Sequence, residues 1–158
     1  MNGNKMGKMY ENLRAMADGK TPLPPIQQAL GFEIVELQEG SVKLSCYVDS
    51  RFHNPMGMVH GGTLAELTDA AMGIAFATLL EIEETEVTIE LKTNFIRPVR
   101  EAMLEITGTV TYKGKTIGLC ESEVRNEKNK LIAKSTATFF VIRGDEVKGS
   151  EIDFHRQK

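Results

Sequence analysis

The feature that most constrains the fold is a segment of helical period, residues 61–80, with apolar side chains on nearly every side of the predicted helix. These side chains belong to Leu64, Ala65, Leu67, Ala70, Ala71, Ile74, Ala75, Phe76 and Leu79. A helix that is apolar all round is buried rather than placed on a surface. Its longest nearly apolar run, residues 70–80, is well short of the roughly 20 residues that span a bilayer. The segment therefore predicts one central helix enclosed by the rest of the chain.

On both sides of this helix the hydrophobic period changes to that of β-strands. We expect two strands before it, near residues 32–37 and 42–48, and four after it, one starting at residue 87 and the others spanning 102–112, 116–125 and 131–142. An acidic turn at residues 81–86 separates the helix from the third strand. The connections at 113–115 and 126–130 have hairpin length, which favours antiparallel pairing. The sequence predicts an α+β fold, an antiparallel sheet wrapped around one central buried helix, and leaves the strand order open.

The chain length fits a single domain with short extensions. Dividing 158 residues into two domains would leave each half short of core. Residues 1–21 are expected to form an N-terminal helical extension, because helical spacing over residues 5–18 ends before a proline-rich segment. Residues 22–143 form the domain, and residues 144–158 form a charged tail.

Charge and cysteine usage narrow the classes of function. The net charge of −3 argues against nucleic acid binding, which usually needs a basic excess. No apolar segment follows the N-terminus, so we expect no secretory signal. Cys46 and Cys120 lie far apart in strand-like runs, as expected for core residues of a protein in the reducing cytoplasm. The three histidines lack metal-ligand spacing, so we expect neither a metal nor an organic cofactor.

The densest group of residues suited to chemistry lies in the loop before the central helix and in the first two residues of that helix. It comprises Asn54, Pro55, Gly57, His60, Gly61 and Gly62. Two glycines at a helix start are poor helix formers, but they let a ligand approach the backbone. The first N–H groups of a helix are unpaired and lie at the positive end of its dipole, so they would stabilise a carbonyl oxygen that gains negative charge. The alternative is a tight turn in which His60 or Thr63 caps the helix.

Asp69 places a carboxylate in the middle of the apolar helix. Burying this charge costs free energy unless it is paired or used, so Asp69 is a candidate catalytic residue; the alternative is a rim position facing solvent. Gly61 and Asp69 are separated by about 12 Å along a helix axis. They cannot both contact one substrate carbonyl from the same subunit. If both act on it, they come from different subunits of a two-fold dimer.

Positive charge is concentrated in the middle strands and one hairpin. The residues concerned are Lys92, Arg97, Arg100, Lys113 and Lys115. Each alone is typical of a solvated face, whereas the group together could hold the phosphates of a nucleotide-like ligand.

The residues around the helix start resemble those of a known family. The pattern is Asn54-Pro55-x-Gly57-x-x-His60-Gly61-Gly62, followed by Asp69. It resembles the hotdog-fold acyl-CoA thioesterases of the phenylacetate-pathway type, and the similarity extends over residues 22–142. It implies a hotdog fold, a homodimer with a continuous sheet, often a homotetramer, and hydrolysis of a thioester to a carboxylic acid and free CoA.

The resemblance also implies roles for single residues. The Gly61 N–H would polarise the thioester carbonyl, and Asp69 of the other subunit would be nucleophile or general base. The remaining expected site residues are His60 and Asn54, which shape the site, Thr88, which positions water, Gly62, and the CoA-phosphate candidates Arg97, Arg100 and Lys115. Thr88 shares a strand face with Glu90 and Lys92, the polar side, so its contact with the helix requires a β-bulge or a site at the strand edge.

Two other functions remain open from the sequence. One is a hotdog hydratase or dehydratase, although those relatives usually place an aspartate and a histidine on one short stretch, unlike Asp69 and His60. The other is a non-enzymatic module that binds or senses acyl-CoA. Such a regulator normally carries a DNA-binding segment, and residues 1–20 are too short for a helix-turn-helix.

Overall fold

The computed structural model describes residues 8–81 and 83–143 as three α-helices, one short 3-10 helix (Ser50–Phe52) and one six-stranded sheet. The helices are α1 (Lys8–Ala17), α2 (Pro25–Leu30) and α3 (Gly61–Ala77), and the strands are β1 (Phe32–Gln38), β2 (Ser41–Val48), β3 (Glu84–Phe95), β4 (Ala102–Lys113), β5 (Ile117–Asn126) and β6 (Leu131–Arg143). This layout confirms the predicted α+β class and the single central helix between two strands and four. The predicted charged tail, residues 144–158, lies outside the described residues.

Two further observations concern the described residues. None of their helices reaches the length and hydropathy of a membrane-spanning segment. Cys46 and Cys120 are buried free thiols, the state expected of core cysteines. The cytoplasmic location itself stays a prediction.

The sheet is antiparallel throughout and has the order β1-β2-β4-β5-β6-β3. Helix α3 packs against β2, β3, β4, β5 and β6, so most of the sheet encloses it. Two glycines allow this close approach. A Cβ atom at Gly108 would clash with the backbone of Ala71, and one at Gly118 would clash with the Phe76 ring. Small residues on both surfaces therefore let the sheet lie directly on the helix.

Two predicted boundaries are wrong by three residues. Helix α3 ends at Ala77 rather than residue 80, where the Thr78 hydroxyl donates to the Ala75 carbonyl at 2.6 Å and accepts from the Gly40 N–H at 2.7 Å. Strand β3 starts at Glu84 rather than residue 87. Glu84 pairs in register with Arg143 of β6 and forms an ion pair with it at 2.7 Å. Pairing with the distant strand β6 thus extends β3 into residues 84–86, which the local sequence predicts as part of an acidic turn.

A β-bulge in β3 changes which side chains face the helix. The register with β6 shifts between Thr88 and Glu90. Before the shift, Glu86 and Thr88 lie opposite the buried residues Val141 and Phe139, so both face inward. A bulge was one of the two alternatives that would let Thr88 contact the helix. It places the polar residues Glu86 and Thr88 on the inner face of β3.

Strand β3 forms one edge of the sheet and is unusually apolar for an edge. Its exposed apolar residues are Val87, Ile89, Leu91 and Phe95, followed by Ile96. A long edge strand with unpaired backbone groups and exposed apolar side chains is a template for pairing with another chain. Within the described residues nothing covers this edge.

Candidate active site

The start of α3 combines a side-chain cap with one free backbone donor. His60 occupies the N-cap position, and its Nδ1 accepts a hydrogen bond from the Gly62 N–H at 2.9 Å. The His60 carbonyl accepts from the Thr63 N–H at 3.0 Å. Among the residues that the structure describes, none accepts a hydrogen bond from the Gly61 N–H. Capping and anion stabilisation are therefore compatible here, because His60 satisfies Gly62 and leaves Gly61 free at the positive end of the dipole.

A cavity of about 310 Å³ lies in front of this free donor. Its lining includes Asn54, Gly61, Leu64, Phe95, Arg97 and Val99. A Cβ atom at Gly61 would lie 3.0 Å from the Phe95 ring, which is closer than ordinary van der Waals contact. Glycine at position 61 therefore keeps the backbone open both to the ring of β3 and to the cavity.

Asn54 shapes the loop that leads into α3. Its Oδ1 accepts hydrogen bonds from the Met56 N–H at 2.9 Å and the Met58 N–H at 3.2 Å. Gly57 adopts a φ of 70° within this turn, a conformation that favours glycine. The side-chain oxygen of Asn54 is thus used to fold the loop, and this contact supports the prediction that Asn54 shapes the site.

Asp69 lies half-buried in the middle of α3 and faces β3. Its Oδ1 accepts a hydrogen bond from the Thr88 hydroxyl at 3.0 Å. Burial raises the pKa of Asp69 above its ordinary value, and the hydrogen bond from Thr88 offsets part of this rise. A partly desolvated carboxylate held by one donor is a stronger base than a solvated one. The structure thus brings Thr88 to Asp69, and the role of Thr88 in positioning water stays a prediction.

Glu86 is a second carboxyl near Asp69 that the sequence analysis missed. Both residues line one cavity together with Thr88, which shares the inner face of β3 with Glu86. Burial raises the pKa of Glu86 to about 7, and the negative charge of Asp69 adds to the rise. The sequence signal that could have identified Glu86 is the two-residue alternation of side chains along a β-strand. Once Thr88 faces inward, Glu86 must do so as well.

The ionisation of Glu86 should make stability depend on pH. An acid whose pKa is higher in the folded than in the unfolded protein binds its proton more tightly when folded, so its contribution to stability falls as pH rises from about 4.5 to 7. Glu86→Gln removes this titration. We expect the variant to gain stability over the wild type through that interval, by up to about 3 kcal/mol above pH 7.

Urea unfolding of both proteins at pH 5 and pH 8, at one protein concentration, measures this difference. A difference in free energy of unfolding that is the same at both pH values would contradict the assigned burial of Glu86.

The predicted cationic residues are only partly brought together. Arg97 lines the Gly61 cavity and donates to the Leu131 carbonyl at 2.7 Å, and Arg100 reaches the nearby Gly57. Lys115 belongs to the β4–β5 connection, at the end of the sheet where Lys113 pairs with Glu84. Within one subunit that end is remote from Gly61, which lies against the opposite end of β3. The role of Lys115 stays a prediction.

Within one subunit, Gly61 and Asp69 also line different cavities. Gly61 lies against Phe95 at the end of β3, whereas Asp69 bonds to Thr88 in its first half. This agrees with the separation of about 12 Å expected along the helix. The two candidate catalytic groups do not face one another inside one chain.

Comparison with known proteins gives independent information on this chain. Residues 56–133 match the thioesterase superfamily. A Haemophilus influenzae protein that carries an esterase name is 32% identical over 113 residues, covering 72% of this chain and 82% of that protein. A medium/long-chain acyl-CoA thioesterase of Salmonella typhimurium is 28% identical over 138 residues, covering 74% of this chain and 85% of the other.

A solved structure gives a similar picture. The PaaI protein from the phenylacetic acid degradation operon of Escherichia coli superposes with a TM-score of 0.74 at 26% sequence identity. The superposition covers 87% of this chain and 95% of that chain. The similarity thus extends over most of this chain.

Proposed function

The chain belongs to the thioesterase superfamily and has the hotdog fold, and we propose that this thioester hydrolase acts on acyl-CoA. The observation that carries the proposal is that one helix presents both a free N–H group at its start, that of Gly61, and a half-buried carboxylate in its middle, that of Asp69. The N–H group can stabilise a carbonyl oxygen that gains negative charge, and the carboxylate can activate water as a base. The similarity to an acyl-CoA thioesterase supports CoA as the thiol.

The complete site is proposed to form across a homodimer. Strand β3 is an exposed apolar edge, with Thr88 in its first half and Phe95 at its end. When two such edges pair antiparallel about a two-fold axis near the middle of β3, the Phe95 end of one strand meets the Thr88 end of the other. Gly61 of one subunit then approaches Asp69 of its partner. The same pairing would continue the sheet through both subunits; a tetramer of two such dimers stays a prediction.

Each proposed group has one task in the reaction. The thioester carbonyl oxygen accepts a hydrogen bond from the Gly61 N–H. The Asp69 carboxylate takes a proton from a water molecule, and the oxygen of that water attacks the carbonyl carbon. The oxyanion is stabilised by the N–H and the helix dipole. The carbon–sulfur bond then breaks, and the CoA sulfur takes up the proton held by Asp69 and leaves as the free thiol. Alternatively, the Asp69 carboxylate attacks the carbonyl carbon itself, the carbon–sulfur bond breaks, and the resulting acyl–aspartyl anhydride is hydrolysed by water to the carboxylic acid and free Asp69.

The local contacts of His60 favour hydrolysis over a hydratase. Its Nδ1 accepts a hydrogen bond from the Gly62 N–H, so this nitrogen cannot serve as a base while the cap is intact. Thr88, rather than a histidine, is hydrogen-bonded to Asp69. Within one subunit these two residues therefore do not form an Asp–His acid–base pair.

The decisive measurement is thiol release from a panel of acyl-CoA substrates. We expect free CoA and the carboxylic acid to form in equal amounts. Tight binding of acyl-CoA without turnover would support the sensing module instead, and water addition to an enoyl-CoA would support the hydratase.

Arg97, Arg100 and Lys115 are proposed to hold the phosphates of CoA. Neutralising each one with glutamine should raise KM about fivefold at low salt, as expected for loss of about 1 kcal/mol per screened contact, and leave kcat nearly unchanged. The effect should shrink as salt rises, because mobile ions screen exposed charges. KM values that match the wild type at low salt would show that these residues only form a solvated surface.

A further inference from the structure

A second cavity lies beside Asp69, between α3 and the N-terminal helices, and has a volume of about 290 Å³. Much of its lining is apolar, with contributions from Leu13, Met16, Ile26, Phe32, Ile74 and Phe139. Asp69 and Thr88 line the same cavity. A group bound in it therefore lies next to the carboxylate proposed to activate water.

The charge of the lining indicates which arm of the substrate enters this cavity. A thioester carbonyl carries two arms, the acyl group and the CoA thiol with its phosphates. The ionisable residues that line the cavity are all acidic: Glu66, Asp69 and Glu86. Phosphates would be repelled there, whereas Arg97 lines the cavity in front of Gly61. The cavity beside Asp69 therefore suits the acyl arm, and the cavity with Arg97 suits the CoA arm.

Resting on the proposed acyl-CoA hydrolysis, we propose that helix α1 forms the wall that limits the size of the acyl group, with Met16 as a specificity-determining residue. Met16 and Leu13 lie one turn apart on α1 and both line the cavity. Leu13 is only 5% exposed, and the Tyr10 hydroxyl donates to the Leu37 carbonyl at 3.3 Å. These contacts fix α1 against the sheet, so the wall is part of the packed fold.

The size of the cavity makes this wall consequential. A volume of about 290 Å³ is just below the range of about 300–1,000 Å³ typical of ligand sites, so the cavity suits a compact acyl group. A longer acyl group must push against α1 or displace it. Helix α1 (Lys8–Ala17) lies within residues 1–21, the helical extension expected from the sequence, so this wall is contributed by the N-terminal part of the chain.

Opposite changes at Met16 test the wall directly. Met16→Ala lengthens the cavity and Met16→Phe fills it. With kcat/KM measured from acetyl-CoA to dodecanoyl-CoA, we expect the long-to-short ratio to rise about tenfold in the first variant and to fall about tenfold in the second. Asn12→Ala, at an exposed position of the same helix, is the matched control and should keep the wild-type ratio.

The outcomes separate this inference from the function on which it rests. If wild-type protein hydrolyses the series and both Met16 variants keep its chain-length profile, α1 does not limit the acyl group, although the proposed function stands. Shifts in the same direction in both variants would likewise overturn it, since a wall predicts opposite signs. If the wild type releases no thiol from any member, both proposals fail together.

Discussion

Asp69→Asn should lower kcat at least about a hundredfold and leave the fold intact. The amide keeps the shape of the side chain but removes its charge and its basic oxygen, and loss of a general base typically costs about 10²–10⁴ in rate. The amide oxygen can still accept the hydrogen bond that the Thr88 hydroxyl donates to Asp69 Oδ1 in the wild type, at 3.0 Å. Because burial raises the pKa of Asp69, the charge is held at a cost, and we expect an equal or higher melting temperature.

Glu127→Gln is the matched control for this prediction. Glu127 is an exposed carboxylate in the connection between β5 and β6, and it lines neither cavity. Its replacement should leave turnover near the wild-type value. A folded Asp69→Asn protein with near-wild-type turnover would end the proposed role of Asp69, whether as base or as nucleophile.

The pH dependence of the wild type checks the same role. Asp69 must be ionised to act, and burial raises its pKa above the ordinary value. We therefore expect kcat/KM to fall as pH drops through this raised pKa, at a higher pH than a solvated aspartate would give.

Two inactive variants should restore activity when they are mixed. Asp69→Asn keeps the Gly61 N–H, and Gly61→Pro keeps Asp69 but removes the N–H. If both are unfolded together and refolded at random, about half of the dimers are mixed, and each mixed dimer holds one complete site out of two. Activity should therefore return to about a quarter of the wild-type value, measured as thiol release per subunit.

The structure indicates that Gly61→Pro is compatible with folding. Proline is well tolerated at the first helical position, and His60 already has φ −63° and ψ 137°, the extended conformation favoured before proline. The added ring would crowd Phe95, whose side chain is 57% exposed within one subunit. If both variants fold and exchange subunits but the mixture stays inactive, the site lies within one subunit and the pairing of Gly61 with Asp69 is wrong.

Several elements of the fold and site follow from local sequence. The apolar period of residues 61–80 predicted the buried helix, and the glycines and histidine before it predicted its start at Gly61. Helix geometry alone predicted that Gly61 and Asp69 are too far apart to share a carbonyl in one subunit, and they do line separate cavities. These properties depend on residues close together in the chain, so periodicity and spacing suffice.

Other elements were decided only by tertiary structure. The strand order, which leaves β3 at the edge, depends on pairing between distant segments. The bulge after Thr88 turns Glu86 and Thr88 toward α3, although alternation in the sequence favoured Val87 and Ile89 on the inner face. Thr88 and Asp69 meet only because of that register. Alternation shows that a strand has two faces, but the backbone pairing with β6 decides which one turns inward, because a one-residue shift reverses every side chain.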